Sequence, residues 1–304
     1  PAKIRFGLTL FLSALAGASS IALLGLSGWF LTAAAIAGSA GAGYIFNHLY
    51  PSAGVRAAAF LRVLTRYGEQ LVGHDATLSL SARLRPQLFA ASAATQRGFT
   101  SMPARELSTL IDDVEAAEAG FLRVFSPAAA VIAGIAVALG FVFANDWVSG
   151  FLALGAFLCT GWICPAMAVR RSHQAAEAHA RQAELAREQT ARLVENAIEL
   201  DILGAIGRET EAAQTALEQQ VATRDAIEAP YRNLGTFTAT VGLALALLVL
   251  WRAAGAQSGI AMATGAALAL MAAFESTGAM LKIFDARARS GVAANRLAAR
   301  LQTS

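Results

Sequence analysis

Apolar residues gather along this chain into six runs of about twenty or more, the length a bilayer-spanning helix requires. They lie roughly at 7–37, 53–75, 122–143, 147–168, 234–251 and 257–281. The 53–75 run is the exception in character, because Arg56, Arg62, Arg66, Glu69 and His74 stand among its alanines, leucines and valines. Each arginine at the centre of a membrane helix costs roughly 2.5–3.5 kcal/mol on insertion scales. Such a helix persists only where its charged face lines a protein interior or a watered cavity. The pattern therefore predicts an all-α, six-span membrane protein with a polar site built on its second span.

The connections differ by side. The segments 38–51, 144–146 and 252–258 are short, and the first is Gly-rich. The two others are long and helical in character. Between spans four and five lie some 60 residues rich in Ala, Glu, Gln and Arg, interrupted near the middle by Gly204 and Gly207. Strong helix formers with few breakers predict a helical hairpin turning at those glycines. A helix of ~34 residues would reach about 50 Å. Between spans two and three, Pro103 suits a first helical turn, and Leu107, Leu110 and Ile111 share one face of the run 104–113. Two hairpins thus extend from the same side, each with a small structured tip.

Composition agrees with the pattern. Of 304 residues, 56% are hydrophobic and 15% charged, against about 25% charged in soluble domains. Mean hydropathy is +0.51. All but five of the lysines and arginines fall in the terminal segments and the long connections. The positive-inside rule then places both termini and both hairpins in the cytoplasm. Cys159 and Cys164 fit neither a redox nor a zinc spacing and read as packing residues. The opening at Pro1 and the stop at Ser304 inside a helical pattern read as the ends of a fragment. No metal site and no nucleic-acid partner is expected.

Six spans, short outside loops and two long inside hairpins resemble the transmembrane half of an ABC exporter of type IV fold. The segments LSGWFLTAAAIAG (26–38), FNHLYPSAGVRAAAFLRVLTRYGEQLVGHDAT (46–77), DDVEAAEAGFLRVFSP (112–127) and AAFESTGAM (272–280) resemble the CydC subunit of the CydDC exporters. The resemblance implies an inner-membrane half-transporter, multi-pass, pairing with a CydD-like subunit and ABC nucleotide-binding domains. It also implies ATP-driven export of cysteine and glutathione, movement of haem, and support of cytochrome bd assembly. No G-x-x-x-x-G-K-[ST] phosphate loop is present, and Lys3 and Lys282 are the only lysines. ATP would act through a domain that this fragment lacks. Gln70 stands where relatives usually carry arginine.

On a helical wheel Arg62, Arg66 and Glu69 fall within a ~60° stripe, and Arg56, Tyr67 and His74 within a second of about 20°. Arg66 and Glu69, three residues apart, can pair. Arginines in a low-dielectric cavity bind carboxylates, which glutathione and haem both carry. His74 is the candidate haem ligand, since iron takes an imidazole. Glu275, in the sixth span, completes the candidate substrate-binding set, and Trp29, Phe30 and Thr32 are candidate lining residues. His48, His173 and His179 read as solvated. Candidate coupling residues to the ATPase domain are Arg105, Glu106, Leu107, Leu110, Ile111, Gly204, Gly207 and Arg208. Alternatives are an exporter of lipids or drugs, and a membrane haem protein.

Overall fold

A computed structural model describes residues 2–95, 104–254 and 259–302. Among these residues eight α-helices follow one another: α1 (Ala2–Ser39), α2 (Leu49–Thr95), α3 (Ala104–Asn145), α4 (Trp147–Leu158), α5 (Cys164–Glu195), α6 (Ala197–Ile202), α7 (Ile206–Ala253) and α8 (Ile260–Gln302). No strand occurs among the described residues. A π turn, Cys159–Ile163, joins α4 to α5. Pro165 follows it and has no N–H to give to the preceding turn, so the wider turn absorbs the mismatch without ending the helix. Cys159 and Cys164 form no disulfide.

Among the described residues five segments are long and apolar enough to cross a membrane: Ile4–Ser39, Val124–Asn145, Trp147–Met167, Arg232–Ala253 and Ile260–Met280. They coincide with five of the six predicted runs. The remaining run, 53–75, lies inside α2. Its charges keep it out of that group, for the reason that made it conspicuous in the sequence.

The chain divides into two compact units, residues 1–162 with 238–304, and residues 163–237. In the larger unit α8 is the centre of the core. Val142, Phe157, Val249, Leu270 and Phe274 are buried with alanines packed between them, and the Phe157 and Phe274 rings stack at 4.1 Å. Lipid supplies no hydrophobic drive between helices, so close contact through small residues must hold them. Gly17 is the tightest case. A Cβ there would strike the backbone carbonyl of Ala130, so α1 and α3 cross at this point only because residue 17 has no side chain.

The α3–α4 turn is held by polar bonds. Asp146 caps α4, its Oδ2 accepting from the Ser149 N–H at 2.9 Å and from Ser149 Oγ at 2.7 Å. Arg252, at the end of α7, donates Nε to the same oxygen at 2.7 Å and Nη2 to Oδ1 at 3.2 Å. The Arg252 guanidinium, then Ser149, hold the Asp146 carboxyl well below the usual carboxylate range. With the folded value below the unfolded one, about 3.9, this bonding stabilises fully above that pH and fades as pH falls towards the folded value. Asp146→Ala should lower the thermal midpoint by about 2–4 °C at pH 7, the scale of one lost cap. The gap between variant and wild type should narrow below about pH 4 in the same unfolding scan.

In the smaller unit, Gly204 adopts φ +65°, a left-handed conformation that favours glycine. Its N–H bonds to the Asp201 carbonyl, and that of Ala205 to the Leu200 carbonyl, closing α6 as a Schellman motif. The turn therefore falls at the first of the two predicted glycines, while Gly207 is already inside α7. At this tip Ile198, Ile202 and Leu203 stand 78%, 80% and 77% exposed. The other predicted tip lies in part outside the described residues. The backbone of Ala104 onward is helical, but the side chains of Arg105, Glu106, Leu107, Leu110 and Ile111 are outside the described set, as are those of His173 and His179.

Candidate functional site

The two stripes of α2 lie in different surroundings. Arg62 and Arg66 border a cavity of about 320 Å³ whose other walls are Ala16, Gly17, Ser20 and Ile21 of α1, Ala130, Val131 and Gly134 of α3, and Ser276 of α8. Apart from the guanidiniums and two serine hydroxyls, the lining is small and apolar. The pocket exists because glycine and alanine at the α1–α3 crossing fill so little of the space between the helices.

Glu69 is the buried member of the stripe. Its side chain is 11% exposed, and its Oε2 accepts from Arg66 Nη1 at 3.0 Å, the pairing expected from the i,i+3 spacing. Ser126 of α3 donates Oγ to the other oxygen, Oε1, at 2.5 Å. Ser13 of α1 in turn donates Oγ to the Ser126 backbone carbonyl at 2.6 Å. One carboxylate thus ties α2 to α3, and the serines extend that tie to α1. Ser13 and Ser126 had no sequence signal beyond being polar in apolar runs, and neither was a predicted site residue.

The second stripe is elsewhere. Arg56, Tyr67 and His74 are exposed and share their face with Phe60, Val63 and Leu71, which are 69%, 69% and 60% exposed. Arg56 and His74 are eighteen positions apart, about 27 Å along a helix at 1.5 Å per residue. That is nearly the thickness of the hydrocarbon core. Each can therefore reach an interface by extending along the helix, with an apolar belt between them. Asp75, a possible partner for His74, pairs instead with Arg5 of α1 at 2.8 Å.

Glu275 is exposed on α8 and is not among the cavity walls, where its neighbour Ser276 stands. Trp29, Phe30 and Thr32 are half-buried on α1 and do not line this cavity. Phe30 stacks on Phe46 at 6.2 Å. No cluster of three or more metal-ligating side chains occurs among the described residues. A ligand entering the cavity would meet the side chains of Arg62 and Arg66, the second already bonded to Glu69, a setting that favours carboxylates and other anions.

Searched against protein-family models, the chain matches none. It is 34% identical over 269 residues to the glutathione/L-cysteine transport system ATP-binding/permease protein CydC of Escherichia coli, covering 85% of this chain and 46% of that protein. It is 40% identical over 149 residues to the protein of the same name from Haemophilus influenzae, covering 47% of this chain and 25% of that one. The chain spans about half the length, or less, of the curated relatives it matches. The resemblance carried by the second-span motif thus extends along most of the chain, which is CydC-like in sequence and a multi-pass, all-helical membrane protein in architecture.

Proposed function

We propose that this CydC-like chain forms the membrane-spanning part of an ATP-driven exporter and moves small thiols that bear carboxylates, glutathione or cysteine, through the cavity beside Arg62 and Arg66. The observation that carries this reading is the convergence of two guanidiniums on one cavity between α1, α2, α3 and α8. The names of the CydC relatives give the same cargo class for those proteins. An exporter of lipids or drugs would need a wider, apolar cavity, which the paired arginines disfavour.

In the working protein a CydD-like subunit completes the transporter, nucleotide-binding domains hydrolyse ATP, and the assembly sits in the bacterial inner membrane with both termini of this chain in the cytoplasm. The exposed Ile198, Ile202 and Leu203, beside Gly204, Gly207 and Arg208, form an apolar docking tip for an ATPase domain. The stretch from Arg105 to Ile111 supplies the other tip. Export of reductant in this way would support cytochrome bd assembly.

Haem belongs to a second, narrower reading. The cavity is at the small end of the usual range for ligand sites, roughly 300–1,000 Å³, and suits an amino acid or a short peptide better than a porphyrin. The exposed imidazole of His74 remains chemically suited to iron, and among the described residues no side chain bonds to it. A haem held there would rest against the outer face of α2, with Tyr67 on the same stripe, and would take no part in the arginine cavity.

The test of the main reading is ATP-dependent uptake of radiolabelled glutathione into inverted membrane vesicles holding the full-length protein with its partner. Saturable uptake that unlabelled cysteine inhibits is expected. Uptake no greater than in vesicles lacking the protein would reject the reading.

A further inference from the structure

Among the described residues Glu69 is the one acid bonded to a cavity arginine, Arg66, yet it is not itself a wall of the cavity. Its two oxygens are divided between Arg66 of α2, which faces the cavity, and Ser126 of α3, which is buried and bonded onward to α1. A cargo carboxylate that approaches Nη1 of Arg66 finds it already bonded to a carboxylate held in place from the other side, and full two-pronged binding at that nitrogen requires Glu69 to give way. We propose that Glu69 is a positioning residue that competes with cargo. In the empty site it occupies Arg66, and a cargo carboxylate displaces it, so Glu69 sets how strong an anion must be to enter. This deepens the transport reading above and rests on it.

The geometry favours exchange over a permanent pair. The Arg66 side chain is 61% exposed, whereas that of Glu69 is 11% exposed. The guanidinium can therefore change partner at little cost, while the carboxylate stays bonded to Ser126. After displacement Glu69 retains one hydrogen bond and is not left wholly unsatisfied. The α2–α3 tie is the Ser126–Glu69 bond, and it survives the exchange because Arg66 and Glu69 both belong to α2.

The experiment is a titration of the full-length complex in nanodiscs with reduced glutathione, comparing wild type, Glu69→Gln, Arg66→Ala and the double variant. Glutamine keeps an oxygen for Ser126 but loses the charge that holds Arg66. Glu69→Gln should tighten binding about tenfold, the scale of one charge-assisted hydrogen bond. In the Arg66→Ala background that gain should vanish, because the competition passes through Arg66. Glu69→Asp keeps the charge but draws it back by one methylene, and it should tighten binding in the same direction. It serves where the glutamine variant fails to fold.

A Glu69→Gln variant that binds no more tightly than wild type overturns the competition while leaving Arg66 as a cargo ligand. So does a gain that persists without Arg66, since that reports only the removal of a nearby negative charge. A purely structural Glu69 would instead lower the thermal midpoint and weaken binding together. If wild type itself shows no saturable binding, the transport reading fails and this inference goes with it.

Discussion

Replacing both Arg62 and Arg66 by alanine should reduce glutathione uptake at sub-saturating concentrations by about a hundredfold or more, with the protein still inserted and folded. Each guanidinium on the cavity wall offers a carboxylate a charge-assisted hydrogen bond worth about 1.5–3 kcal/mol. The loss of two such bonds multiplies to at least about two decades in affinity. Both side chains are exposed towards the cavity, so their truncation removes little packing. The single variants should each lose about tenfold, and Arg66→Ala should lose less than Arg62→Ala because Glu69 already occupies part of its bonding capacity. Uptake assays paired with detergent-resistant folding of each variant separate loss of binding from loss of protein. Equal uptake by the double variant and wild type would remove the cavity from the transport path.

Gly17→Ala should be the most damaging single methyl group in the larger unit. Its Cβ would meet a backbone carbonyl, that of Ala130, and backbone can yield only by moving a helix. Overpacking of this kind costs about 1–3 kcal/mol, occasionally more, or several degrees in the thermal midpoint of a chain this size. Forcing α1 from α3 would also stretch the Ser13 bond to the Ser126 carbonyl and reshape the cavity that Gly17 lines. Reduced yield and a lower midpoint should therefore accompany weakened uptake. An alanine variant as stable as wild type would mean that α1 and α3 do not meet backbone to backbone at Gly17.

The spans were legible because length and hydropathy alone specify them, and the hairpin turn at Gly204 was legible because a left-handed residue after strong helix formers is almost always glycine. The charged second span was legible as an anomaly. Its sorting into two environments was only half visible. The wheel separated Arg62, Arg66 and Glu69 from Arg56, Tyr67 and His74, but not which stripe faced protein, because that depends on where α1, α3 and α8 pack. Ser126 was invisible for the same reason, since a hydroxyl in an apolar run carries no address for its partner. The Asp146–Arg252 bond joins positions 106 residues apart, and the sequence offered only two opposite charges in short outside loops. Gly17, among other small residues in α1, resembled generic membrane packing until a neighbouring carbonyl defined its role.

The central claim is that the cavity between α1, α2, α3 and α8 receives the cargo carboxylate. The most direct measurement is a cryo-EM structure of the full-length complex with reduced glutathione, in the same lipid as the unliganded complex. The account predicts density in the cavity with a carboxylate against Arg62 and Arg66, and Arg66 parted from a Glu69 that is still bonded to Ser126. Glutathione density elsewhere, with this cavity unchanged and the Arg66–Glu69 pair intact, would contradict it.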